Sequence, residues 1–204
     1  MGDGFAPELR LVTGPRRFSL AISEGDGISI IAEVREPEAA QLAERDGAEG
    51  VVVSTGYEER LAGIGEAVSV PILFYWNGQR ADRISGADAC VVDAAVWSGA
   101  SGDLVEETLD DQFELVLRVE HEEQLEEALE RFDPELFVLA GKDDEALERV
   151  LDLLPDVPVG KLVVAELPAI TRADVDELER AGVDAVIVRA GNIAELSGEP
   201  PPEV

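Results

Sequence analysis

Three segments of the sequence repeat one pattern, and this repetition constrains the fold more than any other feature of the chain. The segments are ERDGAEGVVVS at 44–54, RISGADACVVDA at 83–94 and ERAGVDAVIVRA at 179–190. In each, a helical stretch stops at a glycine, and a short aliphatic run follows. Glycine suits the left-handed position after a helix, so Gly47, Gly86 and Gly182 are predicted to end helices. The pattern predicts the helix-to-strand half of a βα unit, used repeatedly.

Other short aliphatic runs lie between these segments and are typical of parallel strands covered on both faces. They are ISIIAEV at 28–34, VPILFYW at 70–76, FELVLRV at 113–119, ELFVLAG at 135–141 and KLVVAEL at 161–167. Amphipathic helices are predicted between them, at 122–132, 143–154 and 171–182. Thr171, with Asp174 three residues later, predicts a capped start for the last helix.

The alternation of about eight strands with helices indicates an α/β protein. Eight units without a long interruption predict one short, compact (β/α)8 TIM barrel over residues 1–204, at the low end of the size range for that fold. The alternative is an open, doubly wound sheet. The first strand is not followed by G-x-G-x-x-G, which removes the most direct support for a dinucleotide-binding sheet. The Pro-rich residues 197–204 are expected to form a frayed tail.

Charged and aromatic residues stand at the predicted carboxyl ends of several strands. They are Glu33, Arg35, Tyr75, Arg118 and Glu166. Glu33 and Arg35 share one face, because alternate residues of a strand point the same way. In a barrel the carboxyl ends form one mouth, where active sites lie. The convergence predicts a ligand site; the alternative is an internal ion-pair network, with Glu33–Arg118 or Arg35–Glu166 pairs.

The balance of charges limits the partners of such a site. Asp and Glu number 45 against 16 Lys and Arg, for a formal net charge of −29. This surface repels nucleic acid and anionic membranes, which bind basic footprints. No membrane span or signal peptide is evident, so a cytoplasmic location is expected. The protein is also expected to be a monomer or weak oligomer. The dispersed acidity also fits a cytoplasm of high salt, where screening relieves self-repulsion.

The sequence shows no sign of metal chemistry. Cys90 is the single cysteine and is predicted to be a buried, inert thiol. No His, Cys or Asp cluster has the spacing of a metal site. His121, the only histidine, is interpreted as a solvated residue at a helix start, with a proton shuttle at the mouth as the alternative. Trp97 is interpreted as a packing or pocket-lining residue.

The order of these motifs resembles indole-3-glycerol phosphate synthase, a barrel of the ribulose-phosphate-binding group. IIAEV resembles that family's first strand, VPILFYW its third and LVLRVEHEEQLEEAL its fifth strand and helix. The most specific match is LVVAELPAITRADVDELERAGVDAVIV at 162–188. The resemblance implies a carbon–carbon lyase of tryptophan biosynthesis. Such an enzyme closes an indole ring on a phosphorylated anthranilate derivative, with loss of carbon dioxide and water, and uses no metal or organic cofactor.

The family's site carries over to this sequence in part. Glu33 and Glu166 match its first- and seventh-strand glutamates and are predicted to be catalytic. Tyr75 stands where the family has the lysine that is its general acid, and is predicted to be catalytic as well. Arg35 replaces another lysine, and Arg118 replaces a glutamate. Both arginines are predicted to bind the anion of the substrate.

The family's phosphate-binding loops are more strongly altered. Its Ser-Pro-Ser after the first strand is absent, and its Ser-Gly after the seventh strand is Leu167-Pro168 here. Phosphate cradles use the N–H groups of glycine loops and helix starts. The remaining candidate is RAGNIAEL at 189–196, with Arg189 as the counter-charge and Gly191 for close approach to the ligand. The alternative is a plain connection between strand and helix.

Two functions stay open from the sequence, beside a purely structural fold. The first is an indole-3-glycerol phosphate synthase-like lyase acting on a small phosphorylated or carboxylated metabolite. The second is a catalytically inactive homologue that binds a metabolite or a partner. The lost lysines favour the second, because arginine does not release a proton as a desolvated lysine does. The convergent charges favour a site of some kind.

Overall fold

The structure is a computed structural model that describes residues 16–24, 27–97, 105, 109, 112–189, 191 and 193–196. In this part of the chain the strands are β1 (Ser29–Val34), β2 (Gly50–Val53), β3 (Ile72–Trp76), β4 (Ala89–Asp93), β5 (Glu114–Val119), β6 (Leu136–Ala140), β7 (Leu162–Glu166) and β8 (Ala185–Arg189). The α-helices are α1 (Arg17–Ser23), α2 (Pro37–Arg45), α3 (Leu61–Ala67), α4 (Ala94–Trp97), α5 (Glu122–Arg131), α6 (Ala146–Leu153), α7 (Arg172–Ala181) and α8 (Ile193–Leu196). The tail predicted at 197–204 lies outside the described residues.

The strands form one closed parallel barrel in sequence order, with β8 paired to β1. This confirms the TIM-barrel prediction and rules out the open sheet. The alternation is less regular than predicted, because the link from β3 to β4 carries the 3₁₀ turn Ala81–Arg83 in place of an α-helix. Within the described residues, no helix combines the length and the apolar character needed to cross a membrane.

Alternate residues of each strand point into the barrel and form layers. The inward-facing side chains midway along the strands are all aliphatic: Ile31, Val52, Leu73, Val91, Val116, Val138, Val164 and Ile187. The opposite faces of the strands pack against the helices in a second, larger cluster that includes Phe74, Trp97 and Phe137. Because these aliphatic side chains fill the barrel, a ligand has room at its ends and not along its axis.

Helix α1 fills the amino-terminal end of the barrel. Phe18 and Ile22 pack among the inward-facing side chains. The buried Glu114 carboxylate accepts the backbone N–H groups of Phe18 at 2.6 Å and Ser19 at 3.0 Å. These contacts satisfy donors in the first turn of α1, where a negative charge also interacts favourably with the helix dipole. The opposite end, at the carboxyl ends of the strands, therefore holds the candidate site.

Aspartates in two of the repeated segments tie neighbouring strands together. Asp88 Oδ2 accepts the backbone N–H of Ile72 at 2.7 Å. Asp184 Oδ2 accepts that of Val163, also at 2.7 Å. Each aspartate precedes a strand and bonds to the start of the strand before it. The repeated pattern thus encodes the register of adjacent strands as well as their order.

Two of the three glycines predicted to end helices do so, and the third has a different structural role. Gly47 and Gly182 have φ values of 100° and 95°, as a left-handed helix end requires. The prediction for Gly86 is wrong, because it follows a 3₁₀ turn and lies outside the positive-φ glycines. A Cβ at Gly86 would lie 3.1 Å from the carbonyl carbon of Leu61, so a side chain there would crowd the backbone of α3. The capped start of α7 is confirmed as a capping box between Thr171 and Asp174.

Candidate functional site

The inward-facing positions at the carboxyl ends of the strands are polar, except at one alanine. Strand alternation places there Glu33, Ser54, Tyr75, Asp93, Arg118, Ala140, Glu166 and Arg189. The barrel therefore brings the predicted site residues of five different strands to one mouth. Arg35 and Gly191 lie just beyond the ends of β1 and β8.

Arg118 is the centre of an ion-pair cluster on one side of the mouth, formed with Asp93, Glu120 and Glu166. Its Nε donates to Glu166 Oε2 at 2.5 Å, and its Nη1 donates to Asp93 Oδ2 at 3.0 Å and to Glu120. The Arg118 side chain is only 9% exposed. Burial by itself lowers the pKa of Arg118, but the charge and hydrogen bond of Glu166, together with the hydrogen bond to Glu120, outweigh it and raise that pKa above its ordinary value. This group is called the Arg118 cluster below.

Lys142 extends the Arg118 cluster toward solvent. Its Nζ lies 2.7 Å from Glu120 Oε1. Burial raises the pKa of Glu120, but the bonds from Lys142 and Arg118 lower it further than burial raises it. Sequence reasoning did not single out Glu120. The signal was available, because Glu120 follows Arg118 by two residues and so faces the same way, as Arg35 follows Glu33.

The two ion pairs considered from the sequence, Glu33–Arg118 and Arg35–Glu166, do not form. Arg118 pairs with Glu166, and Arg35 lies 3.6 Å from Glu33. Strands β1 and β5 stand opposite each other in an eight-stranded barrel, which separates Glu33 from Arg118. The bond from Arg118 to Glu166 crosses β6, where the register partner of Glu166 is the small Ala140.

The Tyr75 hydroxyl is buried beside the Arg118 cluster. It makes no hydrogen bond in the structure. Burial raises the pKa of Tyr75 well above its ordinary value, and the negative charge of Glu166 adds to this effect. A phenol of this kind stays neutral at pH 7. It is therefore not tuned as a general acid, whose pKa is best near the working pH.

A cavity of about 270 Å³ lies on the other side of the mouth, between β7, β8 and β1. This inner cavity has charges from Glu33, Glu166 and Arg189 and an apolar wall formed by Leu167, Pro168, Ala169, Ile170, Ile187 and Val188. An outer cavity of about 540 Å³ shares Glu33 and Arg189 and adds Val34, Arg35 and Ala39. Glu33 and Arg189 are register partners on β1 and β8, so their opposite charges stand side by side between the two cavities.

The two arginines beside these cavities are exposed, in contrast to Arg118. Among the residues that the structure describes, none forms an ion pair or hydrogen bond with the Arg189 side chain. Arg35 is 62% exposed, and its guanidinium lies 5.5 Å from the centre of the Tyr57 ring. Gly191 is exposed, and a Cβ added there would meet nothing within 4 Å. No protein contact in the described part of the chain requires glycine at that position.

The helices that begin beside the inner and outer cavities carry negative charge at their starts. The Asp174 carboxylate accepts the backbone N–H of Thr171 at 2.7 Å, and Thr171 Oγ1 accepts that of Asp174 at 3.3 Å. Helix α2 begins with Pro37, which has no N–H, and has Glu38 in its first turn. An anionic ligand at either helix start would therefore meet a carboxylate of the protein or a missing donor.

The other residues considered from the sequence have structural surroundings. His121 is 53% exposed at the start of α5, with its Nδ1 2.9 Å from Glu123 Oε2. Trp97 is fully buried and packs edge-on against Phe132, with ring centres 6.1 Å apart. Cys90 is buried in β4. No group of His, Cys, Asp and Glu side chains in the described ranges is arranged to hold a metal ion.

Comparison with known proteins supports the fold. Thiamine phosphate pyrophosphorylase from Pyrococcus furiosus superimposes with a TM-score of 0.64 at 15% identity, over 83% of this chain and 89% of that one. Phosphoenolpyruvate phosphomutase from Streptomyces platensis subsp. rosaceus gives a TM-score of 0.61 at 18% identity, over 88% and 82%. No family model matches the chain.

A curated relative agrees with the resemblance seen in the motifs. Indole-3-glycerol phosphate synthase from Geobacillus sp. (strain WCH70) is 30% identical over 167 residues, which cover 73% of this chain and 64% of that enzyme. The chain is a divergent TIM barrel. It spans less than two thirds of the length of this relative.

Proposed function

We propose that this TIM barrel binds a small anionic metabolite in the inner cavity and acts on it as a carbon–carbon lyase of the indole-3-glycerol phosphate synthase type. The observation that carries the proposal is the placement of Glu33, Glu166 and Arg189 around one cavity at the carboxyl ends of the strands. Active sites of TIM-barrel enzymes form at this end of the fold. The 30% identity to an indole-3-glycerol phosphate synthase supports the reaction class.

Glu33 is the residue best placed for acid–base work. It faces both cavities, its side chain is 31% exposed, and its Oε1 accepts a bond from Ser54 Oγ at 3.3 Å. A partly solvated carboxylate, held only by a weak bond from Ser54 and a loose ion pair with Arg35, is accessible to a substrate in either cavity.

Glu166 and Arg189 have complementary tasks in this proposal. The Arg118 Nε holds Glu166 at the edge of the inner cavity. A carboxylate fixed in this way stabilises positive charge that develops on the substrate. Arg189 meets the anionic group, since a guanidinium recognises carboxylate and phosphate through paired N–H donors.

A second candidate is a non-catalytic barrel that binds the same class of metabolite. The state of the proton donors favours it. Tyr75 has a raised pKa and a hydroxyl that is buried beside the Arg118 cluster, and Lys142 is paired with Glu120. Ring closure with loss of water needs a proton donor at the substrate oxygen. The two candidates share one site and differ in turnover.

Binding and turnover assays separate the two candidates. We expect a reduced carboxyphenylamino-deoxyribulose phosphate, titrated in molar salt beside plain phosphate, to raise the melting temperature by mass action. Arg189→Gln should abolish the shift, while Arg180→Gln, at the far end of α7, should preserve it. With the unreduced substrate, release of indole product that is lost in Glu33→Gln supports the lyase. A shift without turnover selects the binding barrel, and the absence of any shift contradicts both.

A further inference from the structure

We infer that the inner cavity takes a monocarboxylate with an apolar body, in preference to a phosphate ester. The inference rests on the proposed function, because it narrows the class of ligand at the same cavity. Three observations carry it: the charges that line the cavity, the helix starts and loops beside it, and the apolar residues that share the lining with the charges.

The charges of the inner cavity suit a single negative charge. Arg189 is the lining cation, and Glu33 and Glu166 are the lining carboxylates. A phosphate ester carries about −1.5 to −2 charges at neutral pH. It would be attracted by the Arg189 guanidinium and repelled by Glu33, and repelled less strongly by Glu166, because Arg118 partly neutralises that carboxylate. A carboxylate has one charge, and its two oxygens match the paired donors of a guanidinium.

Within the described residues, the backbone around the cavity supplies few of the donors that phosphate requires. Phosphate sites draw on the N–H groups of helix starts and glycine loops. The loop that walls the inner cavity contains Pro168, which has no N–H. Helix α7 follows this loop, and the Asp174 carboxylate already occupies its start. On the side of β1, helix α2 begins with Pro37.

Apolar side chains also line the cavity. Leu167, Pro168 and Ile170 belong to the loop after β7, and Ile187 precedes Arg189 by two residues on β8. The volume of about 270 Å³ lies just below the range of about 300–1,000 Å³ that is usual for drug-sized ligands. A single aryl or branched alkyl group fits this space. Its apolar surface would pack on the wall while its carboxylate meets Arg189.

Three matched probes test the inference: phenylacetate, phenyl phosphate and acetate, titrated calorimetrically at one fixed ionic strength. We expect phenylacetate to bind at least about tenfold more tightly than phenyl phosphate, because of the two repelling carboxylates. A similar margin over acetate is expected from burial of the ring. Arg189→Gln should abolish phenylacetate binding. Arg189 is exposed, so the variant should fold, and Arg180→Gln should bind as the unchanged protein does.

Glu33→Gln tests the physical reason for the preference. The substitution removes one repelling charge and keeps an oxygen that accepts from Ser54. The preference for phenylacetate over phenyl phosphate should therefore shrink several-fold, and an unchanged preference would contradict the role of Glu33. Phenyl phosphate that binds as tightly as phenylacetate overturns the inference but leaves the anion site. Binding of the reduced ribulose phosphate analogue alone also overturns it. Failure of every probe, including that analogue, contradicts the proposed function instead.

Discussion

Two arginines at the barrel mouth have opposite surroundings. Arg118 on β5 is 9% exposed and contacts three carboxylates. Arg189 on β8 is exposed, and no described residue pairs with it. Their environments differ because β4, β5 and β7 each bring a carboxylate toward Arg118, whereas Glu33 beside Arg189 inclines toward Arg35 and Ser54.

The two sides of the mouth correspond to the two interpretations that the sequence left open. The charges at the strand ends were interpreted either as a ligand site or as an internal ion-pair network. In the structure the Arg118 cluster is such a network, on the side of β4, β5 and β7. The side of β7, β8 and β1 contains the cavity to which we assign the ligand. Glu166 belongs to both, because its carboxylate bonds to Arg118 and also lines the inner cavity.

The largest effect is expected from removing Arg118. Arg118→Ala leaves the carboxylates of Glu166 and Asp93 without their cation, in a partly buried position. We expect a loss of about 2–4 kcal/mol in the free energy of unfolding, less than for fully buried pairs because these carboxylates are partly exposed. Urea denaturation in constant molar salt measures the loss.

Two variants control this prediction. Arg118→Lys keeps the charge without the planar fork and should recover part of the loss. Arg149→Ala breaks the exposed pair with Asp143 and should cost less than about 1 kcal/mol. If Arg118→Ala costs no more than Arg149→Ala, the Arg118 cluster does not stabilise the barrel, and the two sides of the mouth do not differ as described.

A smaller, pH-dependent effect is expected at Tyr75. The unfolded chain ionises this phenol near its ordinary pKa of about 10, while burial raises the pKa of Tyr75 in the folded state. Above pH 10 the folded state thus binds more protons than the unfolded chain. The free energy of unfolding should therefore fall as pH rises, by up to about 1.4 kcal/mol per pH unit.

Tyr75→Phe should remove this loss at high pH and cost little at pH 7, because the hydroxyl makes no hydrogen bond. Burial also raises the pKa of Cys90, so its alkaline loss should begin lower, near the ordinary thiol pKa of about 8.5. Cys90→Ala is the matched control that removes this earlier part alone. Urea unfolding between pH 8 and 11 distinguishes them. An unchanged alkaline slope in Tyr75→Phe would mean that Tyr75 ionises freely in the fold.

The smallest effect is expected at Arg35. Its side chain is 62% exposed, and it interacts only loosely with Glu33 at 3.6 Å and with the Tyr57 ring. Arg35→Ala should therefore change the free energy of unfolding by less than about 1 kcal/mol. A loss comparable to that of Arg118→Ala would show that the open side of the mouth is also held by ion pairs. The measurement is the same urea titration.

The fold was largely predictable because it depends on local patterns. The repeated glycine and aliphatic pattern predicted three strands and two of the helix ends, the other aliphatic runs predicted the remaining five strands, and the eight strands form the predicted barrel. Gly86 shows the limit of this reasoning. It has the same sequence context as Gly47 and Gly182, yet its distinguishing feature is its close approach to the Leu61 backbone. No local pattern reveals that approach.

The sequence by itself also determined which side chains face the mouth. The period of two along a strand places Glu33, Arg118 and Glu166 inward once the strand ends are known. Only the tertiary structure decided how these charges combine. Arg118 and Glu166 are 48 residues apart and meet across the strand that carries the small Ala140. Glu33 lies on the opposite strand and remains beside Arg189. Closure of the barrel brings distant strands to fixed separations, and an ion pair forms only at contact distance.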